Sequence, residues 1–438
     1  MKKILSFLTM SLLSLAAPLI NAAPVIEFSV KPERDLLIGG PREAIIQIAL
    51  KAKDSDEKRK NPLNLVLVLD RSGSMAGAKL EKAKQAACVA VEQMTADDVL
   101  SVVIYDDDVE VLVPPQKVTD REEIKRQINR IKDGGGTALY AGLVKGASQI
   151  RKYFDKERVN RIILLSDGNA NVGPSKPSEL AVLGKELREE GFGVSTIGLG
   201  DDYNEDLMTA VAEASRANYY YVKDAEKLPG IFREELGTVK NVVARNVNVT
   251  ITLPEGVKGA TLLGENNLSF QGRTLTIPLS EFYGAQTRRI LISCEAPEVD
   301  TKEIELAKVD LTYEDAAAGR TVNANEQARI RQTDDKLKAE QSIKPEVASD
   351  VAMTKNRLAK EAAVKLADEG KPQAAADLLL RQATANAALP AAAQSQALQN
   401  ENAGLNARAN ELQQNGSLSK GSRKAVQNEN YMDRNSKR

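Results

Sequence analysis

The sequence predicts an α/β fold. A doubly wound, mostly parallel, Rossmann-like sheet is flanked by a β-sandwich and a C-terminal helical arm. Three observations carry this expectation. Residues 61–240 alternate continuous apolar runs with segments of helical period, as strands buried on both faces and their crossover helices do. Residues 23–60 and 241–332 lack that alternation and read as strands punctuated by Gly and Pro. From residue 333 the composition turns to Ala, Gln, Lys and Glu, which favours helix.

Composition closes many function classes. The chain has 438 residues, so a prior of ~150 per domain suggests about three. Lys and Arg number 60 against 61 Asp and Glu, so no overall charge favours nucleic acid. Histidine is absent, which excludes Ser-His-Asp triads, His general bases and His-ligated zinc or haem. Two cysteines are too few for a Cys-rich zinc site or a disulfide framework. No Trp and 4% aromatics leave few stacking platforms for single strands. Carboxylates, hydroxyls and metals held by oxygen remain.

Residues 1–22 read as a signal peptide: Lys2 and Lys3, an apolar run from Ile4 to Ile20, and Ala22 before Ala23. Ser6, Thr9, Ser11, Ser14 and Pro18 interrupt the run, which is shorter than the ~20 residues a spanning helix needs. The expected location is therefore outside the cytoplasm: periplasm, cell surface or medium. An oxidising compartment would permit a Cys88–Cys294 disulfide. The plainer expectation is two separately buried thiols, one on a helix and one in a strand of another segment.

Val25–Val30 and Ala44–Leu50 read as strands before a charged linker, 51–60. Leu63–Leu69 is the first buried strand, and Leu80, Ala83, Ala87, Val91 and Met94 space a helix after it. Strands at Val99–Tyr105, Val109–Val113, Arg161–Ser166, Val194–Leu199 and Tyr219–Val222 alternate with further helices, the last of them Pro229–Val239. Asn246–Leu253 alternates cleanly, and 274–279, 288–293, 304–313 and 321–331 are strands of the same kind. The N-terminal strands need a partner sheet, so residues 61–240 are expected to be inserted into a sandwich of 23–60 and 241–332. The alternative is a separate N-terminal arm. Residues 333–390 form a helical hairpin turned at Gly370-Lys371-Pro372. Residues 391–438 read as a polar, basic, disordered tail.

One constellation carries chemistry. Leu63–Leu69 ends in Asp70-Arg71-Ser72-Gly73-Ser74, a later loop reads Asp133-Gly134-Gly135-Gly136-Thr137, and another strand ends in Ser166-Asp167-Gly168. All three fall at the C-terminal ends of strands, the face where open α/β sheets bind ligands. Asp70, Ser72, Ser74, Thr137 and Asp167 offer hard oxygen donors, which suit Mg²⁺. Alternate residues in Asp-x-Ser-x-Ser let one turning loop aim three oxygens at one point. Each piece alone reads equally as a helix cap or a common turn; the three in order make the site.

These residues resemble the metal-ion-dependent adhesion site of von Willebrand factor type A domains, over about residues 62–240. Leu65–Leu69 and Ile197-Gly198-Leu199-Gly200 support the likeness, and the flanking segments are similar to secreted bacterial proteins of that group. The resemblance implies that Ser72, Ser74 and Thr137 ligate Mg²⁺ or Mn²⁺ directly, with Asp70 and Asp167 acting directly or through water. It implies metal-dependent binding of a protein partner through an Asp or Glu carboxylate, not turnover. Arg71, Gly136, Asp201 and Asp202 are candidate partner contacts. The competing expectations are a structural envelope protein with a stabilising metal, and a metal-assisted hydrolase. Asp106-Asp107-Asp108 reads as a solvated hairpin rather than a second cation site. The basic segment 416–438 reads as a solubilising end or a contact to anionic envelope components.

Overall fold

The computed structural model describes residues 24–39, 42–54, 61–264, 268–297 and 303–435. The signal-peptide expectation and part of the charged linker lie outside these. Three N-terminal strands, β1 (Ile26–Pro32), β2 (Leu36–Ile38) and β3 (Arg42–Ala52), precede the α/β unit. That unit runs β4 (Leu63–Asp70), α1 (Ala78–Gln93), β5 (Val99–Tyr105), β6 (Val109–Lys117), α2 (Arg121–Asn129), α3 (Leu139–Ile150), β7 (Val159–Ser166), α4 (Pro177–Glu189), β8 (Gly193–Leu199), α5 (Glu205–Ala214), β9 (Tyr219–Val222) and α6 (Leu228–Lys240).

Its sheet has the order β6-β5-β4-β7-β8-β9, parallel except for β6. Alternate residues of β4 feed two cores. Leu63, Leu65, Leu67 and Leu69 meet α1 and α6, while Val66 and Val68 meet α3 and the helices beyond it. Burial on both faces is why this strand is an unbroken apolar run. The chain leaves β4 first toward β5 and later returns to β7 on its other side. The strand order therefore reverses beside β4, and a crevice opens at its carboxyl end. The edge strand β6 carries Pro114 and Pro115, which cannot donate to a further strand.

The sandwich follows: β10 (Val242–Thr252), β11 (Lys258–Leu262), β12 (Thr274–Tyr283), β13 (Thr287–Ala296), β14 (Ile304–Asp315) and β15 (Arg320–Thr333). One sheet is β1-β3-β13-β11 and the other β12-β10-β14-β15-β2. Ile46 and Ile48 of β3 stand opposite Ile292 and Ile290 of β13, so strands from both sides of the α/β unit build one core. The α/β unit is thus an insertion, and no separate N-terminal arm exists among the described residues. β2 and β11, at three and five residues, were too short to show a period.

The C-terminal segment corrects the expectation of a disordered tail. After α7 (Lys336–Gln341), α8 (Pro345–Asp368) and α9 (Pro372–Ala387) come α10 (Gln396–Asn415) and α11 (Lys420–Arg434). Ser395 caps α10, accepting from Leu398 N at 3.2 Å, and Gly416 ends it in the left-handed region at φ 71. Leu405 and Leu412 share a core with Leu379 and Ala383 of α9. The buried Lys360 ammonium of α8 pairs with Glu401 of α10 and, at 3.0 Å, with Glu429 of α11. The basic residues of α11 are spent inside the molecule too. Lys420 meets Asp202 at 2.9 Å, Arg423 meets Glu205 at 2.9 Å, Lys424 meets Glu205 at 2.6 Å, and Arg434 meets Glu213. Tyr431 is buried and its hydroxyl donates to Ala217 O.

Cys88 and Cys294 are separate free thiols. Cys88 Sγ lies 4.0 Å from Asn129 Oδ1, and Cys294 Sγ lies 3.6 Å from Ala44 O. Burial raises both thiols, Cys294 to about 11, so neither is an activated nucleophile. Among the described residues no helix is long and apolar enough to cross a membrane.

Candidate metal centre

β4 delivers Asp70 to the crevice fully buried. Its Oδ1 accepts from Ser72 N at 2.8 Å, which turns the chain back at the strand end. Its Oδ2 accepts from Ser166 Oγ at 2.7 Å, tying β4 to β7. Burial raises the pKa of Asp70 above the usual carboxylate value, aided by the nearby Asp167 charge, while the bonds from Ser72 and Ser166 oppose the rise. Such a buried carboxylate gains from any positive charge placed beside it.

Ser72 and Ser74 then project alternately from the turn, with their hydroxyls 3.1 Å apart. Ser74 Oγ donates to Asp167 Oδ1 at 2.6 Å across the β4–β7 gap. The loop before α3 packs on the same turn: Gly73 N donates to Gly135 O at 3.1 Å and Gly134 N to Arg71 O at 2.9 Å. Gly135 has φ 62, and a Cβ there would lie 2.6 Å from Asp107 Oδ2, so position 135 needs glycine on both counts. Thr137 follows, buried, with its N–H on Asn171 Oδ1 at 2.7 Å.

Three loops thus gather the five sequence-selected residues, with Ser74 Oγ between Ser72 Oγ and Asp167 Oδ1 and with Asp70 behind them. A Cβ placed on Gly168 would lie 3.3 Å from Ser74 Oγ and 3.5 Å from Thr137 Oγ1. The missing side chain at 168 leaves the space toward which these hydroxyls converge. Two carboxylates and three hydroxyls around one gap fit Mg²⁺ or Mn²⁺, which take oxygen ligands and keep waters. Ser72, Ser74 and Thr137 would hold such an ion. Asp167 would face it with one oxygen, and Asp70 would support it from behind through Ser72.

The candidate partner contacts fare unevenly. Gly136 stays at the rim, where a Cβ would lie 2.5 Å from Asp107 Oδ1 and 3.1 Å from Asn171 Oδ1. Arg71 is turned onto the β5–β6 hairpin, its Nε 3.0 Å from Asp106 Oδ2. Asp201 accepts from Tyr221 Oη at 2.5 Å, and Asp202 is held by Lys420. Those three are committed within the molecule: the hairpin and α11 bring counter-charges to Arg71 and Asp202, and β9 brings the Tyr221 hydroxyl to Asp201. Asp106 is buried, and its carbonyl accepts from Ala138 N at 2.7 Å, so the acidic hairpin braces the α3 loop. Sequence reasoning missed Lys79, whose Nζ lies 2.5 Å from Asp167 Oδ2 and 3.3 Å from Ser74 O. A basic residue in the first turn of a helix, where the macrodipole disfavours it, was the available signal.

Comparison with known proteins agrees with this fold. Residues 64–234 match the von Willebrand factor type A domain family. An uncharacterized protein of Synechocystis is 29% identical over 299 residues, 66% of this chain and 70% of that one. The uncharacterized protein YfbK of Escherichia coli is 28% identical over 234 residues, covering 53% of this chain but 41% of its own length. A solved structure described as von Willebrand factor type A from Catenulispora acidiphila superposes with a TM-score of 0.66 at 20% identity. It covers 83% of this chain and 88% of its own, which shows a shared fold.

Proposed function

We propose, from the premise that residues 64–234 are a von Willebrand factor type A domain, that the protein is an exported, non-enzymatic binding module. Asp70, Ser72, Ser74, Thr137 and Asp167 hold Mg²⁺ or Mn²⁺, and a protein partner's Asp or Glu carboxylate completes the site. The family as a whole supplies the coarser statement, since its domains often mediate protein–protein interaction and adhesion. The single observation behind the finer one is the meeting of the Ser74 and Thr137 hydroxyls at the bare Cα of Gly168, with Ser72 Oγ and Asp167 Oδ1 both on Ser74 Oγ. Neutral hydroxyls donate less charge than carboxylates. The ion would therefore supply a Lewis-acidic point with positive charge left for an acidic ligand.

Binding is favoured over hydrolysis for a local reason. A general base must be able to reach the proton it removes. Asp70 is spent on Ser72 N and Ser166 Oγ, and Asp167 on Ser74 Oγ and Lys79 Nζ. Both carboxylates are thus already engaged in holding the site together, which favours binding over turnover. The test is a pull-down from an envelope extract with the mature chain in Mg²⁺, the folded Asp70→Ala variant in Mg²⁺, and wild type in EDTA. A partner kept only by wild type with metal supports carboxylate capture. Partners kept equally in all three sink it and leave the metal, if bound, a stabilising role.

A further inference from the structure

We propose that Lys79 is a specificity-determining residue of this site: its ammonium takes the second oxygen of the partner carboxylate whose first oxygen the metal takes. The inference rests on the metal-site reading above and extends it to how the ligand is recognised.

Lys79 is the second residue of α1. Side chains on a helix lean toward its N-terminus, and here that direction carries Lys79 back over the turn that holds Ser74. Its Nζ contacts Asp167 Oδ2 at 2.5 Å and Ser74 O at 3.3 Å. The other oxygen of Asp167 accepts from Ser74 Oγ at 2.6 Å. Lys79 and Ser74 thus hold opposite oxygens of the Asp167 carboxylate, which sets the ammonium beside the gathered hydroxyls.

An ammonium has three donors, and these two acceptors leave one. The side chain is 36% exposed, so ligand can reach it. The wall beside it is bare backbone, since a Cβ on Gly200 would lie 3.9 Å from Nζ. Two neighbouring cations do not compete for the role: Arg71 is held by Asp106 and Lys420 by Asp202. Lys79 also neutralises the outer oxygen of Asp167. That lowers the negative charge that attracts a divalent cation while adding positive charge for an incoming anion.

The two effects have opposite signs, and this separates recognition from a merely structural role. The experiment uses the mature full chain as wild type, Lys79→Met and Lys79→Arg, with Mn²⁺ as the metal and acetate as the carboxylate. Water-proton relaxation reports Mn²⁺ binding, and its fall on adding acetate reports displacement of bound water. Lys79→Met is expected to bind Mn²⁺ about three-fold more tightly, because a nearby like charge is gone. It is expected to bind acetate about five-fold more weakly, because a charge-assisted hydrogen bond is gone. Lys79→Arg, which keeps the charge and the donors, should stay within about two-fold of wild type for acetate.

Acetate binding unchanged in Lys79→Met overturns this proposal and leaves the metal reading intact. Loss of both Mn²⁺ and acetate in Lys79→Met, with rescue of both by Arg, makes Lys79 a structural prop and also overturns it. Wild type that binds no Mn²⁺ overturns the metal reading and this inference with it. Wild type that binds Mn²⁺ but does not respond to acetate overturns carboxylate capture and this inference, and spares the metal.

Discussion

The α/β unit carries two acidic regions of similar composition and opposite character. At the crevice, Asp70 and Asp167 are surrounded by hydroxyls, and one lysine touches the outermost carboxylate oxygen. Along α5 and the loop before it, Asp202, Glu205, Asp206 and Glu213 each meet a cation from α11. In the second region the chain brings its own counter-charges, so the carboxylates become a docking surface for the C-terminus. In the first it brings mostly neutral oxygens, and under the proposed function an ion meets the remaining charge. Whether an acidic cluster is a ligand site or an internal seam depends on what the rest of the chain places opposite it.

The comparison can be broken at its seam. Glu205→Ala leaves the Lys424 ammonium buried without its carboxylate, a loss of about 3–5 kcal/mol in α11 docking. Hydrogen exchange of residues 420–434 should rise sharply, with the sandwich and the central sheet unchanged. Protection of α11 unchanged from wild type would mean that Tyr431 and the apolar contacts, not the ion pairs, hold it.

A second test opposes the two regions in one experiment. Mg²⁺ at 100 times its dissociation constant should stabilise the α/β unit by about 2.7 kcal/mol through mass action. Wild type should show this as a rise in melting temperature, and Asp70→Ala should not. An equal rise in both would place the ion elsewhere.

Acid should open the seam. Burial pushes Glu205 up, but the hydrogen bond from Lys424 and the charges of Lys424 and Arg423 outweigh it and hold the carboxyl below its ordinary value. A depressed carboxyl stabilises the docked state above its free value of about 4.3 and loses that contribution as pH falls through the docked value. Exchange protection of α11 should therefore fall as pH drops below about 4.3 and be flat above it. Protection that weakens instead on raising the pH from 5 to 7 would contradict this. The smallest effect is expected at the rim of the seam. Lys420 and Asp202 are both mostly exposed, so Lys420→Ala should cost less than about 1 kcal/mol and leave α11 protected.

The two regions also differ in how legible they were. The crevice is local: Asp70, Ser72 and Ser74 lie within five residues, and Thr137 and Asp167 sit beside glycines at ends of recognisable segments. Residue type and spacing sufficed there. The seam pairs residues more than two hundred positions apart, such as Arg423 with Glu205. Its helix buries Val426 and Tyr431 amid charged and amide side chains, and it carries no broad apolar stripe. Composition alone therefore suggested disorder. α10 was missed for the same reason, since Leu398, Leu405 and Leu412 give only one large apolar residue per seven. Strands β10 and β14 of the sandwich, by contrast, alternate over most of their length, and burial on one face forced that period into the sequence. Lys79 was missed because its contact with Asp167 depends on where the start of α1 falls relative to β7.

The central claim is that the crevice, not the seam, binds the metal. A Mn²⁺ isotherm on wild type, Asp70→Ala and Glu205→Ala tests it most directly. The account predicts one site in wild type, the same site at similar affinity in Glu205→Ala, and its loss in folded Asp70→Ala. Undiminished binding in Asp70→Ala, or binding lost only in Glu205→Ala, would contradict it.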